Sequence, residues 1–323
     1  MTSILSSALL RCAPDSELSQ TMFPPPPKFI PERDLPDLSG KIIFITGGNA
    51  GCGYQTVKEL LLKNAKVYSA ARSVEKAQIA ADQLKRDIGK SPILIQLDLG
   101  DLASVKRAAL DFLSKEDRLD VLFNNAGVMM PPSDQLTTQN FDLQFGTNVL
   151  GHYYLTMLLL PALKRSLTVN GKKARIVNLS SSGHSFAPGD GIDWSVLKES
   201  PERTAKVKEW GPSKIPGRGA WRLYGISKIG NIMLTHLFNR YYHDFINSYS
   251  VHPGGISTEL QRFGSINQLW AGIMPEAENA VGAYIIPWAR IGKADPRSDN
   301  EELQEQLRAY LEEQIRPFEN TLE

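Results

Sequence analysis

The chain has 323 residues and carries 36 basic and 35 acidic side chains. This length is sufficient for one large α/β core, and the near balance of charge indicates neither a nucleic acid nor a membrane surface as a partner. No apolar run approaches the roughly 20 residues that a transmembrane helix needs. The two cysteines, Cys12 and Cys52, lie too far apart in sequence to indicate a disulfide framework or a metal site. The composition therefore predicts a cytoplasmic protein without a membrane span.

The first forty residues differ in character from the rest of the chain. Met1 to Leu10 is apolar and rich in serine, but it lacks the basic start and the longer apolar stretch of a secretory signal. Asp15 and Glu17 disfavour a mitochondrial presequence, which is poor in acidic residues. Pro24 to Pro27 is typical of a stiff, solvated segment. We predict a disordered or loosely attached lead-in over residues 1–39 and a folded domain over residues 40–323.

From Lys41 onward, apolar β-branched runs alternate with segments of helical periodicity. Such alternation requires a mostly parallel sheet with helices on both faces, and the sequence predicts a single doubly wound α/β domain with seven strands. The predicted strands cover residues 41–45, 66–70, 92–96, 119–123, 174–179, 247–251 and 283–287. The predicted helices cover residues 54–64, 74–88, 102–114, 140–163, 223–239 and 300–314.

A glycine-rich segment follows the first predicted strand directly and opens the first predicted helix. It reads Thr46-Gly47-Gly48-Asn49-Ala50-Gly51-Cys52-Gly53. We expect Gly47 to permit a tight turn, Gly51 to let the backbone approach a pyrophosphate, and Gly53 to let the helix pack closely. The unpaired amides of the helix N-terminus would then hold the phosphates. The context predicts a Rossmann-type dinucleotide site, although the glycines alone would fit an ordinary turn equally well.

Three further motifs follow in chain order: Asn124-Asn125-Ala126-Gly127, Ser180-Ser181-Ser182 and Tyr224-Gly225-Ile226-Ser227-Lys228. Tyr224 and Lys228 start a helix after the fifth strand, and one helical turn places them on the same face. A second match to the same spacing, Tyr54 and Lys58, lies on the first helix and is interpreted as a packing residue and a solvated one. The Tyr, Lys and Ser side chains could move a proton while a bound dinucleotide moves a hydride.

These motifs, in this order, resemble those of the short-chain dehydrogenase/reductase family, from about Leu38 to the seventh strand. The resemblance implies an enzyme with a nicotinamide cofactor and no metal. The predicted catalytic residues are Tyr224, Lys228, Ser181 and Asn148. The predicted cofactor-binding residues are Gly47, Asn49, Gly51, Cys52, Gly53, Arg72, Asp98, Leu99, Asn125, Ala126, Gly127, Tyr224, Lys228, Pro253, Gly254, Ile256 and Thr258.

The role of each catalytic residue follows from its chemistry. A free tyrosine titrates near pH ~10, and the ammonium of Lys228 should lower the pKa of Tyr224 toward neutrality. Ser181 can hold the substrate oxygen, with Ser182 as the rival for this role. Asn148 can support a water that supplies protons to Lys228. This mechanism needs no histidine, and three histidines are interpreted as structural or surface residues: His152, His184 and His252.

The choice of cofactor depends on the end of the second predicted strand. NAD-dependent enzymes usually place an acidic residue there to bind the ribose hydroxyl. This sequence has Ala71, Arg72 and Ser73 instead, and a guanidinium suits a 2′-phosphate. We therefore predict NADP(H) in preference to NAD(H), with a surface arginine as the alternative interpretation. The resemblance places Asp98 and Leu99 beside the adenine.

The stretch between Ser181 and Tyr224 is longer than the usual loop of the family, with an insertion at about residues 183–220. This feature resembles the branch that contains retinol dehydrogenases and the WW-domain oxidoreductase. We predict a second wall of the substrate site at about residues 257–275. Four tryptophans are candidates for an apolar pocket, with plain packing as the alternative for each: Trp194, Trp210, Trp221 and Trp270.

The leading prediction is an NADP(H)-dependent oxidoreductase that acts on a carbonyl or an alcohol of a lipophilic or aromatic small molecule. An epimerase or dehydratase on the same scaffold is a second hypothesis, and a non-catalytic NADP-binding sensor is a third. The third would be expected to lack the tyrosine or the lysine, and both are present. The predicted partner is the small-molecule substrate, without nucleic acid, and a homodimer stays open.

Overall fold

The computed structural model describes residues 27–211, 217–254 and 260–319. Within these residues, one eight-stranded sheet has the order β3-β2-β1-β4-β5-β6-β7-β8. Its order reverses between β1 and β4, and a crevice at such a switch point is where doubly wound folds bind ligands. The strands are β1 (Ile42–Thr46), β2 (Lys66–Ala71), β3 (Ile93–Gln96), β4 (Val121–Asn124), β5 (Ala174–Leu179), β6 (Ile246–Val251), β7 (Tyr284–Ile286) and β8 (Arg290–Ile291).

The predicted doubly wound α/β fold is confirmed, but the prediction of seven strands was one short. Strands β1 to β7 pair in parallel, whereas β8 runs antiparallel to β7. Strand β8 has only two residues, and this length is too short to show a hydrophobic pattern in sequence.

Helices flank both faces of this sheet. A π-helical turn, Gly146–Leu150, joins the short helix Leu143–Phe145 to the long helix Gly151–Asn170 without a break. The helix Val74–Ile88 has the bounds that the sequence predicts, because Ser73 caps its first turn and Gly89 ends it in the left-handed conformation. The helices are α1 (Pro31–Asp34), α2 (Gly51–Leu62), α3 (Val74–Ile88), α4 (Leu102–Leu113), α5 (Leu143–Phe145), α6 (Gly151–Asn170), α7 (Pro201–Trp210), α8 (Arg218–Tyr242), α9 (Leu260–Ile273) and α10 (Glu301–Glu319).

Each face of the sheet has its own hydrophobic core. Helices α4, α6 and α8 cover one face, and α10 packs over them with apolar side chains at helical spacing. Lys106 Nζ and the Tyr154 hydroxyl both donate to the carbonyl of Phe318, which fixes the end of α10. Helices α2 and α9 cover the other face. The apolar side chains that α10 buries are Leu303, Leu307, Leu311 and Ile315.

The described part of the predicted lead-in, residues 27–39, packs on the second core. Phe29, Leu35 and Leu38 are buried there, and Lys63 Nζ donates to the carbonyl of Glu32. This part is therefore attached to the domain. Residues 1–26 lie outside the described residues, so the lead-in stays a prediction for them. Among the described residues, no helix combines the length and the apolar character needed to cross a membrane.

Candidate active site

The glycine-rich segment turns from β1 into α2 at the edge of the sheet. Gly47 has a φ of 70° and Gly51 a φ of 56°, a left-handed conformation that favours glycine. A Cβ on Gly53 would collide with the carbonyl oxygen of Gly47, so the helix approaches the turn more closely than any other residue allows. Ala50 precedes α2 and has no side-chain group to cap its first amides. These amides can therefore hold an anion.

The hydroxyl of Thr46 joins the glycine-rich segment to the end of β4. Its Oγ1 accepts hydrogen bonds from the amides of Asn125, at 3.0 Å, and Ala126, at 2.9 Å. The Asn125 side chain donates back to the Thr46 carbonyl at 2.8 Å. The carboxyl ends of these neighbouring strands are thus held in one register beside the helix N-terminus. The sequence indicated Thr46 only by its place before the glycines.

A cavity of about 400 Å³ lies along these strand ends. Arg72 is exposed at this cavity, and Asp98 accepts a hydrogen bond from the amide of Gly100 at 2.9 Å. A Cβ on Gly127 would lie 3.5 Å from Lys228 Nζ, so the cavity reaches toward this lysine. The groove thus combines open amides with a guanidinium and leads toward the amine of Lys228, an arrangement that fits an extended dinucleotide. The predicted cofactor-binding residues that line the cavity are Gly47, Asn49, Arg72, Asp98, Leu99, Ala126 and Gly127.

The side chain of Cys52 points away from this groove. Its Sγ packs against Gly264 of α9, where a Cβ would collide with it. Burial raises the pKa of the Cys52 thiol to about 11. The thiol therefore stays protonated at neutral pH and is a poor nucleophile. Only the backbone of Cys52 is placed to serve a cofactor.

Ser181 follows β5 and lies beside Tyr224 of α8. Its Oγ accepts the amide of Gly183 at 3.0 Å, and its hydrogen bond with Tyr224 favours the phenolate. A Cβ on Gly183 would lie 2.7 Å from a ring carbon of Tyr224, so this close packing requires glycine. Ser182, the rival serine, donates its amide to His252 Nδ1 at 3.3 Å. The structure therefore brings Ser181 to the tyrosine.

Tyr224 and Lys228 lie on one face of α8, as their spacing predicts. Both are buried, and the Lys228 Nζ lies 5.6 Å from the centre of the Tyr224 ring and donates to the Leu179 carbonyl at 2.8 Å. Burial lowers the pKa of Lys228 to about 7. The expected lowering of the Tyr224 pKa is wrong for this structure: burial raises it, and the Ser181 hydrogen bond opposes burial.

Asn148 lies in the π-helical turn between α5 and α6, a kind of turn often found at functional sites. Its Oδ1 accepts the amide of Val128 at 2.9 Å. Its Nδ2 donates to the carbonyl of Val128 and to Ser227 Oγ, both at 3.0 Å. The side chain therefore fastens the segment after β4 to α8. Its predicted support of a water near Lys228 stays a prediction.

The segment after β6 is described only at its start. Gly254 has a φ of 95°, and its amide donates to His252 Nδ1 at 3.4 Å. Pro253 lies against Gly264 of α9. Ile256 and Thr258, which the sequence analysis assigned to the cofactor, lie outside the described residues.

The predicted second substrate wall, at about residues 257–275, is mostly the helix α9. From Ser265 onward this helix buries most of its side chains in the core beside α2, and Trp270 packs there. Trp194 and Trp210 pack in the opposite core. Trp221 differs, because its ring contacts Tyr224 with the ring centres 6.0 Å apart. Among these four tryptophans, Trp221 is the one with a described ring contact to Tyr224.

Comparison with known proteins identifies the family. A family model described as short chain dehydrogenase matches residues 41–191. A short-chain dehydrogenase/reductase of Armillaria gallica is 44% identical over 320 residues, which cover 93% of this chain and 98% of that protein. This chain belongs to the short-chain dehydrogenase/reductase family. It is an oxidoreductase that transfers hydride, and family membership implies a nicotinamide cofactor.

Two further relatives agree with this short-chain dehydrogenase/reductase assignment. Retinol dehydrogenase 11 of Mus musculus is 38% identical over 236 residues, which cover 72% of this chain and 67% of that protein. The crystal structure of an uncharacterized protein from Mycobacterium paratuberculosis superposes with a TM-score of 0.69 at 29% identity. The superposition covers 88% of this chain and 96% of the mycobacterial chain. The fold and the family are therefore shared over nearly the whole chain.

The buried lysine should make the stability of this dehydrogenase/reductase depend on pH. The pKa of Lys228 falls from 10.5 to about 7 on folding, so between these values the unfolded chain binds more protons and stability rises with pH. We expect the thermal unfolding midpoint, measured without cofactor, to rise from about pH 7.5 to about pH 9.5 more steeply in wild type than in Lys228→Met. Histidines titrate near pH ~6.5 when unfolded, which is below this window.

The control for this measurement is Lys76→Met, which removes an exposed ammonium from α3. This variant should show the same rise of the unfolding midpoint with pH as wild type. Equal slopes in wild type and Lys228→Met would contradict a buried lysine of lowered pKa.

Proposed function

We propose that this protein is an NADP(H)-dependent carbonyl reductase or alcohol dehydrogenase for lipophilic or aromatic small molecules. The observation that carries the proposal is the buried Tyr224, which is hydrogen-bonded to Ser181 and lies one helical turn from Lys228. Such a hydroxyl can exchange a proton with a substrate oxygen, whereas a non-catalytic sensor would need neither the serine nor the lysine there. A cytoplasmic location and a homodimer remain predictions.

The chemical step follows from what these side chains can donate. When bound, the nicotinamide supplies or accepts the hydride. In the reducing direction, Tyr224 gives its proton to the substrate oxygen as negative charge develops there. Ser181 donates a hydrogen bond to the same oxygen and holds it near the phenol. Lys228, with a pKa of about 7, can carry a positive charge that stabilises the resulting phenolate or release a proton to it.

The preference for NADP(H) is supported by the end of β2. Strand β2 ends at Ala71, and Arg72 follows at the cavity with an exposed side chain. Within the described part of the chain, no carboxylate or carbonyl forms a hydrogen bond or an ion pair with the Arg72 guanidinium. A guanidinium in this position can give two parallel hydrogen bonds to a 2′-phosphate. The arginine therefore supports a phosphorylated ribose.

An aromatic substrate is supported by a row of rings that leads from solvent to Tyr224. Phe186 is 52% exposed, and its ring centre lies 5.1 Å from that of half-buried Trp221. The Trp221 ring meets the Tyr224 ring at 78°. Exposed aromatic rings in contact with a catalytic residue are suited to bind a flat apolar group. We assign Phe186 and Trp221 to one wall of the substrate site.

A panel of ketones and alcohols, followed by the absorbance of the nicotinamide, tests this function. We expect turnover with NADPH and a higher kcat/KM for aryl ketones than for aliphatic ketones of equal size. Trp221→Ala should lower kcat/KM for aryl ketones by about twofold to tenfold, because an aromatic contact contributes roughly 0.5–1.5 kcal/mol. The kcat/KM for aliphatic ketones should fall less in the same variant.

Ile79→Ala is the control variant, since Ile79 is 60% exposed on α3 and far from Tyr224 in the fold. This variant should keep the wild-type kcat/KM for both aryl and aliphatic ketones. An equal loss for aryl and aliphatic ketones in Trp221→Ala would contradict the aromatic wall. No turnover with any carbonyl or alcohol would contradict the proposed function itself.

A further inference from the structure

The segment that carries Ser181 contains a second buried polar side chain, that of His184. Residues Ser182–Phe186 form a 3₁₀ turn directly after Ser181. His184 is 1% exposed, and its ring reaches two different parts of the chain. Its Nδ1 lies 2.6 Å from the carbonyl oxygen of Ser181. Its Nε2 lies 3.0 Å from the amide nitrogen of Asp295, in the loop after β8.

The two contacts determine where the proton of this imidazole resides. The Asp295 amide can only donate, so Nε2 must be the acceptor. The proton of the neutral ring is therefore on Nδ1, which donates to the Ser181 carbonyl. The Tyr284 hydroxyl also lies 3.5 Å from Nδ1, but the carbonyl contact is much shorter and takes the proton. Both ring nitrogens are thus used, each for one partner.

A second histidine extends this arrangement to the segment after β6. Tyr284 of β7 lies between the two imidazoles: its ring centre is 5.1 Å from that of His184 and 6.4 Å from that of His252. His252 Nδ1 receives the amides of Ser182 and Gly254. The backbone beside the catalytic serine is therefore fastened at two successive residues. One bond goes to the loop after β8, and the other goes to the start of the segment after β6.

We propose that His184 is a positioning residue for Ser181, on which the rate of proton transfer depends. The inference rests on the catalytic role of Ser181 in the proposed function. Gly183 has no side chain to hold this turn, and it packs against the Tyr224 ring. The Ser181 carbonyl accepts the backbone amide of His184 at 3.0 Å and the shorter bond from His184 Nδ1 at 2.6 Å. The imidazole bond adds a second anchor to the serine carbonyl, and with it fixes the direction of Oγ toward the phenol. A displacement of about 1 Å at a reacting group can lower a rate by roughly 10²-fold.

Two substitutions separate the two bonds of His184. In His184→Asn, the amide nitrogen occupies the place of Nδ1 and can still donate to the Ser181 carbonyl. In His184→Gln, the longer side chain reaches the Asp295 amide but no longer donates to the serine carbonyl, which keeps only the backbone amide of residue 184 as a donor. We expect kcat within about threefold of wild type for His184→Asn and a tenfold to hundredfold loss for His184→Gln and His184→Ala. Cofactor affinity should be unchanged in all three.

His243→Ala is the control, since His243 is exposed at the end of α8, and it should keep wild-type kcat. If His184 has only a structural role, kcat will fall in proportion to the loss of unfolding temperature across the variants. His184→Asn will then have no higher kcat than His184→Gln. That result would overturn the proposal.

A double-mutant cycle with Ser181→Ala provides a second, independent measurement. Once the serine hydroxyl is absent, its direction no longer matters, so His184→Ala should cause little further loss of kcat. An equal loss in both backgrounds would overturn the positioning role. If Ser181→Ala alone keeps full turnover while Tyr224→Phe does not, the serine has no catalytic role and the inference fails with the proposed oxidoreductase function intact.

Discussion

Tyr224→Phe should lower kcat by roughly 10²–10⁴-fold, the range typical of a general acid or base. The side chain is 5% exposed and its ring packs against Gly183 and Trp221. Phenylalanine fills the same volume, so the variant should fold and bind cofactor as wild type does. Single-turnover kinetics and cofactor titration on the same preparation would separate the two effects.

The decoy motif gives a matched control for this prediction. Tyr54 lies on α2 and packs on the core of the sheet face opposite to α8. Tyr54→Phe removes the same hydroxyl from the same spacing of tyrosine and lysine, and it should keep kcat close to wild type. Full turnover in Tyr224→Phe would show that another group moves the proton.

Arg72→Ala should weaken NADPH binding by about tenfold to hundredfold and leave NADH binding nearly unchanged. Charge-assisted hydrogen bonds to a phosphate contribute roughly 1.5–3 kcal/mol each to binding. NADH has no 2′-phosphate, so its binding does not include these bonds. Adding Ala71→Asp should shift the preference toward NADH, because an acidic residue accepts from the ribose hydroxyl and repels the phosphate. Calorimetry at one fixed salt concentration measures both affinities, since salt screens phosphate contacts.

Arg86→Ala is the control for charge, since Arg86 is an exposed arginine at the far end of α3 and does not line the cavity. It should change neither affinity. An equal weakening of NADPH and NADH in Arg72→Ala would show that Arg72 shapes the groove without contacting the phosphate, and the preference for NADP(H) would lose its main support.

Much of the fold could be predicted because strands such as β1 are nearly continuous apolar runs that alternate with segments of helical periodicity. The strand over residues 174–179 and the helix over residues 74–88 have the predicted bounds, the helix because its sequence contains both of its caps. Helix α7 was not predicted. Its short polar sequence has a weak apolar face, and its position depends on the ion pair of buried Arg203 with Asp142, at 3.1 Å. Such a contact joins distant parts of the chain and has no local pattern.

The candidate site was predictable where chemistry depends on residue type and spacing. The tyrosine and lysine pair and the glycine-rich segment are examples, because the helix geometry that aligns them is local. The pKa of Tyr224 was predicted in the wrong direction, since burial is a property of the packed fold. His184 was judged by the needs of the mechanism alone. Its hydrogen bonds to Ser181 and Asp295 form only when folding brings the end of β5 and the loop after β8 together, so no local sequence pattern indicates them.

The position of α10 determines the order in which the domain can be completed during synthesis. The sheet face covered by α4, α6 and α8 is closed by side chains of Leu303 to Ile315, which follow every strand in the chain. The bond from Lys106 to the carbonyl of Phe318 spans 212 positions. A nascent chain with all eight strands would therefore still present an uncovered apolar surface to its surroundings, as incomplete domains do. This surface would be a binding site for a chaperone until α10 leaves the ribosome.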